Sequence, residues 1–156
     1  QTVTSNAYEV ERAVLDADLV IGAVLVPGAK APTLISNELV SRMKPGSVLV
    51  DIAVDQGGCF EDTRPTTHDD PTFRVHDSIF YCVANMPGAV PNTSTHALTN
   101  VTLPYVMALA TEGTAGAVRA HADLAHGVNV VGGQVVLPEV AAAHGVTAVP
   151  LEEVGL

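Results

Sequence analysis

Asp55 is the side chain in this sequence best placed to do chemistry. It closes the run Val48-Leu-Val-Asp-Ile-Ala-Val-Asp55 and is followed by Gln56-Gly57-Gly58. A carboxylate just past the carboxyl end of a buried strand can hydrogen-bond ribose hydroxyls or influence a proton transfer. It can equally cap a turn, and the residues alone leave both readings open. Asp51, inside the strand, is expected to be structural, because a buried carboxylate must be paired with main chain or a cation. Arg64 carries a planar set of donors suited to a phosphate or carboxylate. A surface ion pair with Asp62 or Asp69 is its other reading. None of the six histidines forms His-x-x-x-His or a Cys/His cluster, and His121 and His126 fall on different helix faces. No metal site is expected. His96 has acid–base chemistry available to it or is a plain helix-surface residue. No Gly-x-Gly-x-x-Gly, Walker loop or Gly-x-Ser-x-Gly occurs.

The elements around these residues follow from periodicity. Thr2 to Ser5 suits a short strand. Ser5 or Asn6 caps a helix carrying Ala7, Val10 and Val14 on one face, widened by Tyr8 and Leu15. Leu19 to Val26 is a continuous apolar run rich in β-branched residues, the pattern of a parallel strand covered on both faces. Ser36 caps a helix from Asn37 to Met43, and Lys44-Pro45-Gly46 stops it. Ser47 to Ala53 and Ile79 to Ala84 repeat the buried-strand pattern, with a long polar loop from Val54 to Asp77 between them.

Strand and helix therefore alternate over the first 91 residues, which argues for βα units and a parallel sheet. Three strands are too few for a complete doubly wound sheet. Beyond it, Thr93 to Gly113 reads as a long helix with a stripe of Ala97, Val101, Tyr105 and Ala108, which Pro104 should kink or locally break. A helix over Ala115 to Ala125 follows. Two short extended pieces then flank Gly132-Gly133, and Pro opens a helix from Pro138 to His144.

In an open parallel sheet, ligands bind beyond the carboxyl ends of the strands. Three loops lie there: Val24 to Pro32, Ile52 to Gly58 and Val83 to Pro91. Gly28, Gly57, Gly58 and Gly88 would let backbone approach a flat or charged ligand closely. They are also ordinary turn residues. Three consecutive strands with the same design suggest a cofactor crevice without naming the cofactor.

Composition bounds the partners. The chain has 156 residues, 47% of them hydrophobic and 15% charged, with a net charge of −10. That is enough apolar surface for a packed core. The acidic balance excludes a basic footprint for nucleic acid or an anionic membrane. No apolar run reaches the roughly 18 residues of a membrane span. Cys59 and Cys82 fit reduced thiols in a cytoplasm.

Three long stretches carry a resemblance. Gly22-Ala-Val-Leu-Val-Pro-Gly-Ala-Lys-Ala-Pro32 is one. Met43-Lys-Pro-Gly-Ser-Val-Leu-Val-Asp-Ile-Ala-Val-Asp-Gln-Gly-Gly-Cys59 is another. The third is Asn85-Met-Pro-Gly-Ala-Val-Pro-Asn-Thr-Ser-Thr-His-Ala-Leu-Thr-Asn100. They closely resemble the C-terminal part of the alanine dehydrogenase family, strongly up to about residue 113 and more loosely to the end. That family interconverts L-alanine with pyruvate and ammonia using NAD. The NAD-binding part of proton-pumping transhydrogenase is similar too, but usually carries Glu where this chain has Asp55.

The resemblance implies a role for each matching position. Asp55 is the active-site aspartate beside the nicotinamide, and Ile52, Ala53 and Val54 are the backbone run leading to it. Val24 and Leu25 line the adenosine and ribose path. Ser5 lies near the adenine end, and Arg64 contacts the cofactor. Val83, Ala84, Asn85 and Met86 run beside the nicotinamide ring. His96 is not in a catalytic position of the family.

The implied fold is α/β: a partial Rossmann-type doubly wound parallel sheet over residues 1–91. The implied remainder, 92–156, returns through the long helix to the substrate domain. The family's glycine fingerprint, catalytic histidine and carboxylate-holding arginine and lysine would lie ahead of Gln1. The expectation is therefore a fragment that needs the N-terminal part of the same enzyme and is inactive alone. A cytoplasmic homohexamer is implied, with the long helix as an interface element. The rival reading is a truncated, non-enzymatic remnant.

Overall fold

The computed structural model describes residues 2–26 and 29–156. Gly28, one of the glycines expected to admit a ligand, lies outside the described residues, as does Pro27. The chain divides into two compact units, Gln1–Ala89 and Val90–Leu156.

The first unit has a mixed α/β fold, as the alternation of apolar runs predicts. Thr2 to Ser5 is not a strand. Helix α1 (Ala7–Asp16) begins where the Asn6 side chain accepts a hydrogen bond from the Glu9 amide at 3.0 Å, so Asn6, not Ser5, is the cap. Val10 and Val14 turn inward, but Tyr8 and Ala7 face out. Strand β1 (Leu19–Gly22) is shorter than the apolar run that contains it. Helix α2 (Asn37–Ser41) is capped by Ser36, whose hydroxyl oxygen accepts from the Leu39 amide. Its predicted apolar residues Leu39, Val40 and Met43 are all buried. Strand β2 (Val48–Asp51) runs parallel to β1, Leu19 opposite Val48 and Gly22 opposite Asp51.

The polar stretch from Val54 to Asp77 is not all loop. It holds a short 3-10 turn, Val54–Gln56, and strand β3 (Thr72–Val75). Strand β3 pairs antiparallel with β4 (Ser78–Tyr81), which in turn runs parallel to β2. The sheet order is β1-β2-β4-β3. The hairpin carries no turn signal in sequence, because its turn uses His76 at φ 52° instead of the Gly or Asn that usually marks a left-handed position.

Alternate residues of β2 and β4 divide the sheet into unequal faces. Leu49, Asp51, Ser78 and Phe80 are buried, with Val40, Ile35, Phe60 and Val14 packed above them. Phe60 meets Phe80 edge to face at 5.8 Å, an arrangement that adds to simple area burial. The opposite face carries Leu19 and Ile21, 55% and 56% exposed, beside half-buried Val48, Val50, Ile79 and Tyr81. The expectation of strands covered on both faces is thus met on one face only. Periodicity reports that a strand is apolar, not which segment covers it.

In the second unit, α3 spans Pro91–Ala120 but is interrupted at Gly113 (φ 70°, ψ 168°). The backbone stays helical through Pro104, so the expected break there does not occur. Helix α4 (Ala122–His126) is separate, because His121 is extended; the single helix expected over Ala115 to Ala125 is two pieces. Tyr105 Oη donates to Asp123 Oδ2 at 3.1 Å and ties α3 to α4. Of the predicted stripe on α3 only Ala108 is buried, while Val101 is 65% exposed. Strands β5 (Val130–Val131) and β6 (Gln134–Val135) form a hairpin over Gly132 and Gly133, both at positive φ as a primed turn requires. Helix α5 is Pro138–His144, as its opening Pro predicts.

Candidate functional site

Strands β1, β2 and β4 are parallel neighbours, so the segments leaving their carboxyl ends emerge on one edge of the sheet. After β1, residues 23–26 leave the ladder; its last bond runs from the Ile52 amide to the Gly22 carbonyl at 2.8 Å. Ala23, Val24 and Leu25 then face Ile52, Ala53 and Gln56 across a cleft of about 270 Å³. A second cleft, also about 270 Å³, opens between α1 and β1. Its lining includes Ser5, Glu9, Val14, Ile21 and Phe60, and again Ala23 and Val24. The two clefts therefore share a wall. Ser5, Val24, Leu25, Ile52 and Ala53, far apart in sequence, line one run of hollow surface.

Asp55 lies on the 3-10 turn just past this wall, exposed. Among the described residues its carboxylate has no hydrogen-bond or ion-pair partner. The turn-capping alternative for Asp55 therefore fails, and the capping belongs to Asp51. One Asp51 oxygen accepts from the Ala53 amide at 3.0 Å and the other from the Cys59 amide at 2.9 Å. Between these anchors the chain closes tightly. The Gln56 and Gly58 amides both donate to the Ala53 carbonyl, and Gly57 and Gly58 take φ of 95° and 72°. The Gln56 carbonyl accepts from the Ala31 amide at 3.1 Å, joining this turn to the one after β1.

The other expected site residues divide. Val54 and Val83 are buried in hydrophobic surroundings, so they offer main chain, not side chain. Ala84 and Asn85 are exposed and Met86 half-buried at the carboxyl end of β4. Asn85 Oδ1 accepts from the Gly88 amide at 3.2 Å, and its carbonyl meets His68 Nε2 at 2.6 Å. Arg64 is not brought to either cleft. Its guanidinium lies 4.1 Å over the Phe73 ring, on the strand at the opposite edge of the sheet from β1. It makes no ion pair among the described residues, and the Asp62 carboxylate instead accepts from the Asn37 amide group.

Cys59 sits under the shared wall, its thiol aimed at the Val24 carbonyl. Burial pushes this thiol, and that of Cys82, above the ordinary range, and the nearby Asp51 charge adds to both. Both are free and unreactive by position. Among the described residues no group of three or more His, Cys, Asp or Glu side chains is arranged to hold a metal ion. Among the same residues, no helix is long and apolar enough to cross a membrane.

The family described as alanine dehydrogenase/PNT, C-terminal domain, matches residues 1–138. The chain belongs to this family. It is 63% identical over 141 residues to an alanine dehydrogenase of Mycolicibacterium smegmatis, covering 90% of this chain and 38% of that protein. It is 57% identical over 145 residues to an alanine dehydrogenase of Halomonas elongata, covering 93% of this chain and 39% of that one. A solved L-alanine dehydrogenase matches with a TM-score of 0.73 and 52% identity, over 90% of this chain and 39% of its own. A transhydrogenase from Sinorhizobium meliloti matches with a TM-score of 0.51 and 32% identity, over 56% and 24%. The chain thus spans about two fifths of the length of the alanine dehydrogenases it matches.

As a member of the alanine dehydrogenase/PNT family, the chain shows two features that sequence reading missed. Gln56 lines the first cleft, and Lys30 lies against Gly57. Neither has a signal in sequence, since both depend on two turns from different strands meeting. The double anchoring by Asp51 had a partial signal: a single acid inside an apolar strand must find donors nearby.

Proposed function

We propose that this chain supplies half of the dinucleotide site of an NAD-dependent alanine dehydrogenase, which interconverts L-alanine with pyruvate and ammonia. The observation that carries the reading is the hollow edge where Ser5, Val24, Leu25, Ile52 and Ala53 meet beside the Asp55 carboxylate, which has no partner among the described residues. That surface suits NAD. It offers apolar walls for flat rings, main chain at the carboxyl ends of β1 and β2, and, at Asp55, an acceptor for ribose hydroxyls. The greater identity and coverage toward alanine dehydrogenases than toward a transhydrogenase support the same choice.

In this reading Ser5 lies toward the adenine, Val24 and Leu25 along the adenosine and ribose, and Ile52 to Val54 present main chain. Val83, Ala84, Asn85 and Met86 flank the nicotinamide; Arg64 stays on Phe73, away from both clefts, and its expected cofactor contact is not part of this reading. NAD, when bound, accepts the hydride from the α-carbon of alanine. Asp55 orders the ribose and holds a proton network at its carboxylate. Residues 1–91 form the dinucleotide half-domain, and 92–156 lead into the substrate domain. A cytoplasmic homohexamer, with the long helix at an interface, belongs to the same proposal.

The test is alanine-dependent NADH formation by this chain joined to the N-terminal part of an alanine dehydrogenase it matches, compared with the 156-residue chain alone. Activity is expected in the first and not the second. Dinucleotide binding without any alanine-dependent reduction would move the reading to transhydrogenase. No binding at all would favour a non-enzymatic role.

A further inference from the structure

We propose that Asp51 is a positioning residue for the reaction, acting through Asp55; the proposal rests on the active-site reading of Asp55 given above. Asp51 is the last residue of β2 and is fully buried. Its two oxygens accept from two main-chain amides, those of Ala53 and Cys59, which stand on either side of Asp55 in sequence. Hydrogen bonds to an ionised acceptor are roughly twice as strong as neutral ones. The turn that carries Asp55 is therefore wound around a buried charge and gripped at both ends.

Two further observations show that the turn is built to the carboxylate. A β-carbon on Gly58 would stand 2.6 Å from Asp51 Oδ2 and 2.0 Å from Thr63 Cγ2, so the backbone there closes directly on the acid. Among the described residues no cation pairs with Asp51, so the amides are what compensate its burial. An amide side chain would put an N–H group against one of those two N–H donors. The charge therefore serves the turn and the residue at its tip. A shift of about 1 Å at a reacting group costs on the order of 10²-fold in rate.

The experiment uses the protein at its natural length, with Asp51→Asn, Asp55→Asn and the double variant, read as kcat, KM and thermal midpoint for alanine oxidation. Asp51→Asn is expected to lower kcat by about 10- to 100-fold with little change in the KM for NAD. In the Asp55→Asn background it should slow the enzyme no further, because its effect passes through Asp55. If Asp51→Asn alone leaves kcat unchanged, or slows Asp55→Asn by its full factor again, the proposal is overturned and Asp51 only supports the fold. If Asp55→Asn itself turns over normally, the active-site reading of Asp55 fails, and this proposal with it. Should Asp51→Asn not fold, Gly58→Ala displaces the carboxylate without removing it. It must show the same non-additivity with Asp55→Asn for the proposal to stand.

Discussion

The Lys30 side chain lies directly across the α-carbon of Gly57, so that a β-carbon there would stand 2.5 Å from Lys30 Cγ and 2.8 Å from its Cε. Gly57 also holds φ at 95°. Two separate penalties therefore oppose any side chain at this position. Gly57→Ala should lose about 1–2 kcal/mol from the left-handed backbone alone, and more from pushing Lys30 aside. In a Lys30→Ala background only the backbone part should remain. Chemical denaturation of the two single variants and the double variant would show this as a Gly57→Ala cost that shrinks when Lys30 is gone. Equal costs in both backgrounds would mean that Lys30 yields freely.

Asp55 should matter to turnover far more than to stability. It is exposed and makes no hydrogen bond among the described residues, so Asp55→Asn removes no native contact. A surface change of this kind shifts stability within about 0.5 kcal/mol. Loss of one catalytic electrostatic or proton-relay group costs about 10²–10⁴-fold in rate. Alanine oxidation rate and thermal midpoint, taken on one preparation at natural length, separate these effects. Near-normal turnover would reduce Asp55 to a surface residue, and unfolding would make its role structural.

Ser47 and Ser78 share a buried hydrogen bond between hydroxyls at 2.8 Å, at the amino ends of β2 and β4. Ser47→Ala strands the Ser78 hydroxyl in the core and should cost about 1–3 kcal/mol. Ser47→Ala with Ser78→Ala removes both polar groups and should cost less than the two single changes added together. Additive losses in denaturation midpoints would show that the hydroxyls do not depend on each other.

The buried thiols give stability an alkaline limit. Cys59 and Cys82 have folded-state pKa values raised chiefly by burial, above an ordinary value of about 8.5 in the unfolded chain. The folded state therefore holds its thiol protons to higher pH than the unfolded state does. Their contribution is fully present below the unfolded value and is lost as pH rises toward the folded one. The thermal midpoint should fall above about pH 9. That fall should be shallower in a Cys59→Ala, Cys82→Ala variant, although the variant starts from lower stability. An identical slope would assign the alkaline loss to other groups.

Local chemistry carried much of this protein in its sequence alone. Asn6 and Ser36 announce helix starts because their side-chain oxygens reach amides three residues on. Gly132-Gly133 announces a primed turn, and Pro138 opens α5, because each restricts its own backbone. The three apolar runs place β1, β2 and β4, and the acid after β2 is visible as a candidate site residue. What tertiary structure decided is everything that depends on two distant segments meeting. The left-handed His76 gave no cue to the β3–β4 hairpin, which exists because β4 offers a paired edge. Arg64 had a phosphate and an ion pair as its sequence readings, and the fold laid it on Phe73. The apolar stripe of α3 shows no partner in its own periodicity, since a pattern tells which face is apolar and not what covers it. Above all, only the fold shows that Asp51 holds the turn and leaves Asp55 free, because the Ala53 and Cys59 amides converge on one buried carboxylate.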